Sequence, residues 1–218
     1  MSNRLIIVKD GKEREATFDT IPGLKINCFG DADNNVVKIW EPYDITNLAV
    51  LFSGCDNRIE IHSNSTIRSA TVFMGAGAKN RLLSIGERMF LIGVQFHLVT
   101  NGSTITVGDD CLFSADVVIA ADDGHPVYDI FSKELLNKGG KINIGNCVWL
   151  GYGTIVCKNV DICNHVVVGA NSIVTRSISE EYSITAGSPA KVIKKGYDFS
   201  KLTVDRYIEQ LESDNIGK

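Results

Sequence analysis

The sequence predicts an all-β fold in which short strands wind into a parallel solenoid. The strongest sign lies between residues 142 and 178, where an aliphatic side chain recurs at every sixth position: Ile144, Leu150, Val156, Ile162, Val168 and Val174. A six-residue period fits neither an amphipathic helix, with a period of about 3.6, nor a half-buried strand, with a period of about 2. It fits coils with three short flat sides, in which each hexad supplies an inward aliphatic residue and a tight corner.

A second, looser repeat extends the solenoid towards the N-terminus. Pairs of hydrophobic residues separated by one position recur as Val37/Ile39, Ile59/Ile61, Leu83/Ile85, Ile105/Val107, Ile142/Ile144 and Val160/Ile162. The first four pairs are 22, 24 and 22 residues apart, and the last two are 18 apart. Turn residues precede the early pairs at Asn35, Asn57, Asn80 and Gly102. We therefore expect one solenoid over residues 23–184, irregular at first and regular later.

The two ends of the chain carry different signals. Asp10-Gly11 lies between two short apolar runs, so residues 1–22 are expected to form a hairpin or cap. Residues 185–218 form a tail in which apolar residues follow Thr203 at helical spacing. This pattern predicts a short amphipathic helix, with Thr203 as N-cap, that packs on the solenoid.

The repeat is interrupted once, and this interruption is the best candidate for chemistry. After Ile119 the next inward residue is due near His125 but arrives at Ile144, so residues 121–141 are expected to leave the solenoid as a loop. Long excursions from a compact repeat are usually functional. This one contains His125 together with three carboxylates, at Asp122, Asp123 and Asp129.

Composition excludes several classes of function. The chain has 218 residues, 22% of them charged, and a net charge of −4, whereas nucleic-acid binding requires a basic face. No apolar run reaches the roughly 18 residues of a membrane span, and the first residues do not resemble a signal peptide. We expect a cytoplasmic protein. The six cysteines show no zinc-binding spacing and are interpreted as small packing residues in a reducing compartment.

Several motifs together resemble the hexapeptide-repeat acyltransferases. They are D-G-H-P-V-Y-D at 123–129, V-W-L-G at 148–151 and A-G-S-P-A-K at 186–191, added to the hexads themselves. The resemblance covers about residues 105–196 and is strongest to bacterial capsule and polysialic acid O-acetyltransferases. It implies a left-handed parallel β-helix and a homotrimer with acetyl-CoA bound between protomers. It also implies an acceptor sugar hydroxyl on a capsule, lipopolysaccharide or precursor.

The same resemblance assigns roles to two residues. His125 would be the general base that takes the acceptor hydroxyl proton, a role that suits an imidazole because its pKa is near neutral. Asp122, Asp123, Asp129 or a backbone carbonyl could orient the ring. Trp149 precedes an inward residue and is expected to face outward at a coil corner, with its indole N–H near the thioester sulphur or packed at a subunit interface. A nearby backbone N–H would stabilise the oxyanion, because the loop offers no obvious side-chain donor.

The positions that match coenzyme A contacts of the family are Tyr152, Ala170, Thr175, Arg176, Lys191 and Lys194. Tyr152 stands where a small residue is usual. The two lysines stand where arginine also occurs, so they offer point charges instead of a bidentate fork. No metal is expected.

Four other functions fit parts of the pattern. One is N-acyl transfer to a nucleotide-linked amino sugar, and another is acetyl transfer to an antibiotic. A third is a zinc-dependent β-helix hydratase using His62, His97 and His165, and the fourth is a solenoid scaffold without catalysis. The scattered histidines lack a ligand-like spacing, so they are interpreted as structural or surface residues.

Overall fold

Three parallel sheets form the three sides of a left-handed β-helix in the computed structural model, which describes residues 2–75 and 77–216. The predicted fold class is confirmed. The strands in chain order are β1 (Arg4–Lys9), β2 (Lys12–Ala16), β3 (Leu24–Asp33), β4 (Val36–Trp40), β5 (Tyr43–Ile45), β6 (Leu48–Cys55), β7 (Arg58–Ile61), β8 (Ser65–Ile67), β9 (Ala70–Met74), β10 (Leu82–Ile85), β11 (Phe90–Leu91), β12 (Val94–His97), β13 (Thr104–Val107), β14 (Leu112–Phe113), β15 (Val117–Ala120), β16 (Lys141–Ile144), β17 (Trp149–Leu150), β18 (Ile155–Val156), β19 (Val160–Ile162), β20 (Val166–Val168), β21 (Ile173–Val174), β22 (Ser183–Gly187) and β23 (Ala190–Lys195).

Each complete coil, from β4–β6 to β19–β21, contributes one strand to each sheet. The first sheet runs β2-β1-β4-β7-β10-β13-β16-β19, the second β5-β8-β11-β14-β17-β20-β22-β23 and the third β3-β6-β9-β12-β15-β18-β21. Within the described residues, the named strands pair antiparallel only at the two ends of the prism. There, the β1–β2 hairpin closes one end and the β22–β23 hairpin the other.

The register of the first sheet matches the hydrophobic pairs in the sequence. Val37 lies opposite Ile59, Ile59 opposite Leu83, and Leu83 opposite Ile105. Ile105 then pairs with Ile142, 37 positions later, whereas Ile142 pairs with Val160 only 18 positions later. The extra residues form the excursion loop, and the coil resumes in register on its far side.

The interior of the prism consists of stacked aliphatic columns. The six aliphatic residues of the hexads between 144 and 174 are all at most 3% exposed. The residues two positions before them are also buried, including Thr154 and Ser172 at 0%. Because inward and outward side chains alternate along each strand, this confirms the predicted phase of the repeat.

The early turns differ in detail from the prediction. Asn80 and Gly102 have positive φ, of 58° and 69°, as turn residues do, but Asn35 and Asn57 do not. In those two coils the positive-φ residue is one position earlier, and the asparagine side chains are fully buried. The Asn57 amide nitrogen donates to the Asn35 side-chain oxygen over 2.7 Å, so these residues form a ladder between coils.

Strands β1 and β2 form an N-terminal hairpin, and its first strand also belongs to the β-helix. Lys9 pairs with Lys12 across the turn, and Asp10 and Gly11 have φ of 49° and 73°, as a two-residue hairpin turn requires. Strand β1 pairs in parallel with β4.

The C-terminal segment crosses the second sheet before it forms a helix. Asp198 contacts His165, Phe199 contacts Trp149, and Lys201 donates to the carboxylate of Asp110 over 3.2 Å. We call residues 197–203 the strap.

Helix α1 (Val204–Ile216) follows, and the Arg206 N–H donates to the Thr203 hydroxyl at its N-terminus, as predicted. The expected packing of this helix on the solenoid is wrong for the single protomer. Val204, Tyr207, Ile208 and Leu211 remain 46–75% exposed, because only the first turn approaches the second sheet. No helix in the described ranges is long and apolar enough to cross a membrane.

Candidate active site

The excursion loop leaves the β-helix between β15 and β16 and folds back on itself. Asn137, near its end, lies against the segment that holds His125. The Asn137 amide nitrogen donates to the His125 carbonyl over 2.8 Å and to an Asp123 carboxylate oxygen over 2.7 Å, and its oxygen accepts from the Val127 N–H over 2.6 Å. Lys158 forms an ion pair with Asp123 and so joins the loop to the next coil.

A close approach of the Gly139 backbone to the Thr100 side chain lets the loop rejoin the solenoid. A Cβ at Gly139 would lie 2.0 Å from the Thr100 hydroxyl oxygen, so no larger residue fits without a shift. Strand β16 begins two residues later and restores the coil.

None of the three carboxylates proposed to orient His125 contacts its imidazole within the protomer. Asp122 is 7% exposed and accepts the backbone N–H groups of Val99 and Thr100 over 2.6 and 3.1 Å. Asp129 accepts two N–H groups of its own turn. Hydrogen bonds from Lys158 and Asn137 hold the pKa of Asp123 below its usual value. All three therefore shape the loop.

The imidazole of His125 is exposed and has no hydrogen bond to another described residue. It lines a cavity of about 180 Å³ with Gly124, Pro126 and Asn137. A second cavity of about 450 Å³ shares four lining residues with the first: Thr100, Leu135, Lys138 and Gly139. The imidazole therefore lies at the end of a continuous groove along the corner between the third and first sheets.

Trp149 faces outward from the second sheet, as predicted, because its neighbours Val148 and Leu150 are both fully buried. Its indole N–H donates to the Ser114 hydroxyl over 3.2 Å. The Phe199 ring of the strap lies 5.8 Å from the indole, centroid to centroid. The indole is therefore held from two sides, and its N–H already has an acceptor in the free protomer.

His125 and Trp149 lie in different cavities of one protomer. Trp149 lines a cavity of about 610 Å³ together with the strap and the first turn of the helix, at Asp198, Phe199, Ser200, Leu202, Val204 and Tyr207. None of these residues lines either cavity at His125. A single protomer thus does not bring the two predicted catalytic residues into one cavity.

The six positions predicted to contact coenzyme A are all exposed. Tyr152 and Ala170 lie at corners of successive coils, where a Cβ on Gly151 would be 2.8 Å from the Ala170 nitrogen. Tyr152 hydrogen-bonds the Asp116 side chain, which raises the pKa of its phenol. Thr175 and Arg176 directly follow β21.

A β-bulge brings the two lysines onto one face. Lys191 pairs with Ala186 and Lys194 with Ile184, although the lysines are three positions apart, because the register shifts between Ile184 and Thr185. Neither lysine forms an ion pair with a described carboxylate, whereas the neighbouring Lys195 pairs with Glu180 at 2.8 Å.

The other histidines lie apart and pack on aromatic rings. His62 stacks on Trp40 at 4.2 Å and His97 contacts Phe73 at 4.8 Å. His165 stacks on Tyr182, and its Nδ1 hydrogen-bonds the Asp198 carboxylate over 2.8 Å. Within residues 2–75 and 77–216, no three His, Cys, Asp or Glu side chains converge as metal ligands.

Sequence reasoning missed three side chains that touch the predicted site residues: Ser114, Asn137 and Lys158. Ser114 is 35 residues from its partner Trp149, and Lys158 is 35 residues from Asp123. Their coil-to-coil register could have indicated these pairs. Leu112 and Trp149 are aligned in neighbouring strands, which brings Ser114 close to the indole.

No family model matches the chain. A polysialic acid O-acetyltransferase of Escherichia coli is 36% identical over 137 residues, which cover 63% of this chain and 43% of that protein. A galactoside O-acetyltransferase of Escherichia coli is 34% identical over 120 residues, 55% of this chain and 57% of that protein. The chain thus spans about half the length of these two curated relatives. A putative acetyltransferase of Saccharomyces cerevisiae is 32% identical over 159 residues, and 80% of it is covered.

Solved structures show the same fold. The polySia specific acetyltransferase NeuO has a TM-score of 0.71 at 29% identity, with 85% of this chain and 88% of that chain covered. The polysialic acid O-acetyltransferase OatWY has a TM-score of 0.66 at 24% identity, with 88% and 94% covered, and supports the fold alone. By its hexad repeat, its fold and these relatives, the chain belongs to the hexapeptide-repeat acetyltransferases.

Proposed function

We propose that the protein transfers the acetyl group of acetyl-CoA to a sugar hydroxyl of a surface polysaccharide, a capsule or lipopolysaccharide, or of its precursor. Relatives named for polysialic acid and galactoside O-acetylation support this class of acceptor. The observation that carries the proposal is the placement of His125: an imidazole without a partner, in a groove, on the loop that interrupts the repeat. We place the reaction in the cytoplasm, where acetyl-CoA is available.

His125 would act as the general base. Acetyl-CoA supplies the activated acetyl thioester. The imidazole takes the proton of the acceptor hydroxyl as the oxygen attacks, and returns that proton to the departing sulphur. An imidazole free of internal hydrogen bonds has a nitrogen available for this exchange. The groove that ends at His125 is open enough to admit a sugar along Thr100 and Lys138.

The described residues fit coenzyme A. Cations without acidic partners suit phosphates, and Arg176, Lys191 and Lys194 meet that condition. The corner formed by Gly151, Gly169 and Ala170 is lined by small residues, so an extended pantetheine arm can lie against backbone there. Tyr152 protrudes beside this corner and narrows it.

A homotrimer would complete the site. The loop carries Ile130, Phe131 and Leu136 at 67%, 87% and 80% exposure, and apolar surface of this kind usually contacts another protein. The loop then reaches over a neighbouring protomer, so that His125 of one subunit meets the groove beside Trp149 of the next. This arrangement accounts for the separation of the two residues within one protomer.

The first prediction concerns His125→Ala. Removing a general base lowers kcat by about 10²–10⁴-fold, with coenzyme A binding and oligomeric state unchanged. The measurement is acetyl transfer to a panel of capsular and lipopolysaccharide oligosaccharides, followed by thiol release. His62→Ala is the matched control, because His62 stacks on Trp40 outside the excursion loop.

Normal turnover in His125→Ala would remove the base assignment. The product also discriminates between reactions, because an O-acetyl ester is released by mild base and an N-acetyl amide is not. An alkali-stable product would replace O-acetylation with N-acylation of an amino sugar.

A further inference from the structure

Asn137 forms three hydrogen bonds to the segment around His125. No other described side chain of the excursion loop forms as many to that segment. Its amide nitrogen donates to Asp123 and to the His125 carbonyl, and its oxygen accepts from the Val127 N–H, over 2.6–2.8 Å. The three partners are alternate residues, so one side chain spans the whole segment around the imidazole.

The segment has few other attachments. Residues 122–127 belong to no strand, and residues 123–127 are exposed. Asp122 is attached to the preceding coil, because it accepts from the Val99 and Thr100 N–H groups. Across residues 123–127, the described hydrogen bonds and ion pairs beyond those of Asn137 are the Asp123–Lys158 ion pair and the Leu136 N–H donating to the Val127 carbonyl over 2.8 Å. Of these contacts, only the hydrogen bond from Asn137 reaches the backbone of His125 itself. The amide is less exposed than its neighbours in the loop, which suits a fixed hydrogen-bonding role.

The chemistry of the position requires asparagine. Two donors and one acceptor are needed at the same short reach, and an amide provides all of them. Aspartate would offer only acceptors and would place a second negative charge beside Asp123. Alanine would leave the His125 carbonyl and the Val127 N–H to water.

We infer that Asn137 is the positioning residue that fixes His125 for catalysis. The inference rests on the proposed function, because it assumes that His125 is the base. A catalytic group must be held within about 0.5 Å of its working position, and a displacement of about 1 Å costs about 10²-fold in rate. Asn137 supplies this restraint without touching the substrate.

The test compares Asn137→Ala, Asn137→Asp and the exchange variant Asp123→Asn/Asn137→Asp with the wild type. We expect Asn137→Ala to lower kcat by about 10²-fold while the KM for acetyl-CoA stays within twofold. Asn137→Asp should lower kcat by at least as much. The exchange variant should recover part of kcat, because an amide at 123 can donate to a carboxylate at 137. The pH dependence of kcat/KM should keep its shape with a lower plateau, because the base remains present.

The matched control is Asn143→Ala. Asn143 is an exposed asparagine that, like Asn137, uses its side chain in hydrogen bonds: it accepts from Thr106 over 2.7 Å and donates to Asp161 over 2.6 Å. Asn143 lies on β16, the strand that follows the loop, and its partners lie on β13 and β19 instead of in the loop. Its replacement should leave kcat unchanged.

Wild-type kcat in Asn137→Ala would overturn the inference, as would an equal loss of kcat and of coenzyme A binding capacity. If Asn137→Ala does not fold, the comparison of Asn137→Asp with the exchange variant decides, and equal kcat values would overturn the inference. An inactive His125→Ala beside a fully active Asn137→Ala contradicts only this inference. An active His125→Ala contradicts the proposed function instead.

Discussion

At the scale of single residues, Arg81 shows how a charge can be built into the wall of the solenoid. Its side chain is 1% exposed, and burial lowers its pKa to about 10, against an opposing effect of Asp122. The guanidinium also donates to the Asn57 side chain over 2.9 Å. It donates to five backbone carbonyls, those of Ser53, Met74, Gly75, Ala78 and Leu98. One side chain thereby supplies hydrogen-bond donors to backbone carbonyls of several coils.

Replacing Arg81 by leucine should destabilise the protein strongly. Each buried carbonyl left without a donor costs about 1–3 kcal/mol, so we expect a loss of more than about 3 kcal/mol, measured by denaturant unfolding. Arg58→Leu is the control, because Arg58 is exposed on the neighbouring coil. Equal losses in the two variants would show that the buried hydrogen bonds carry little stability.

The sequence predicts where some of the site and core residues lie, but not all of them. The positions of His125 and Trp149 follow from the phase of the repeat, since a loop begins where an inward residue is missing and an outward residue lies between two inward ones. Arg81 could not be predicted as buried. A charged residue beside an Asn turn ordinarily faces water, and only the carbonyls converging from three coils make its burial favourable.

At the scale of elements, the bulge in β23 brings two lysines onto one face. In a regular strand, residues three apart face opposite sides, so Lys191 and Lys194 would diverge. The shift of register places both beside the outward residues Ala186 and Ile184. Lys195 falls on the other face and pairs with Glu180.

Neutralising both lysines should weaken coenzyme A binding. Hydrogen bonds to charged groups contribute about 1.5–3 kcal/mol, so Lys191→Gln/Lys194→Gln should raise the KM for acetyl-CoA by about tenfold or more. We expect kcat to stay unchanged and the effect to shrink at high salt. Steady-state kinetics at two ionic strengths measures this. Lys195→Gln is the control, and an equal rise in that variant would contradict the assignment.

The elements also show where periodicity stops being informative. Strand register was predictable because each coil carries the same hydrophobic pair on the same side, even though the spacing between successive pairs varies. Helix α1 was predictable from Thr203 and its apolar spacing, but its packing was not. An amphipathic pattern indicates that one face of a helix packs against another surface. It does not indicate whether that surface belongs to the same protomer or to another.

At the scale of the whole molecule, the prism separates two parts of one proposed reaction centre. The groove that ends at His125 lies at the corner between the third and first sheets, and the Trp149 cavity lies on the second sheet under the strap. The exposed apolar residues of the loop and of helix α1 lie outside the core. Association around a threefold axis would cover such surface and join the two cavities across each interface.

The most direct test of this account mixes two variants that should each be inactive alone, His125→Ala and Trp149→Ala, by co-refolding them in equal amounts. If each site takes His125 from one protomer and Trp149 from the next, every mixed trimer contains one intact site. Random assortment then restores about a quarter of wild-type activity. Activity no higher than the average of the two separate variants would contradict a shared site and place the chemistry within a single protomer.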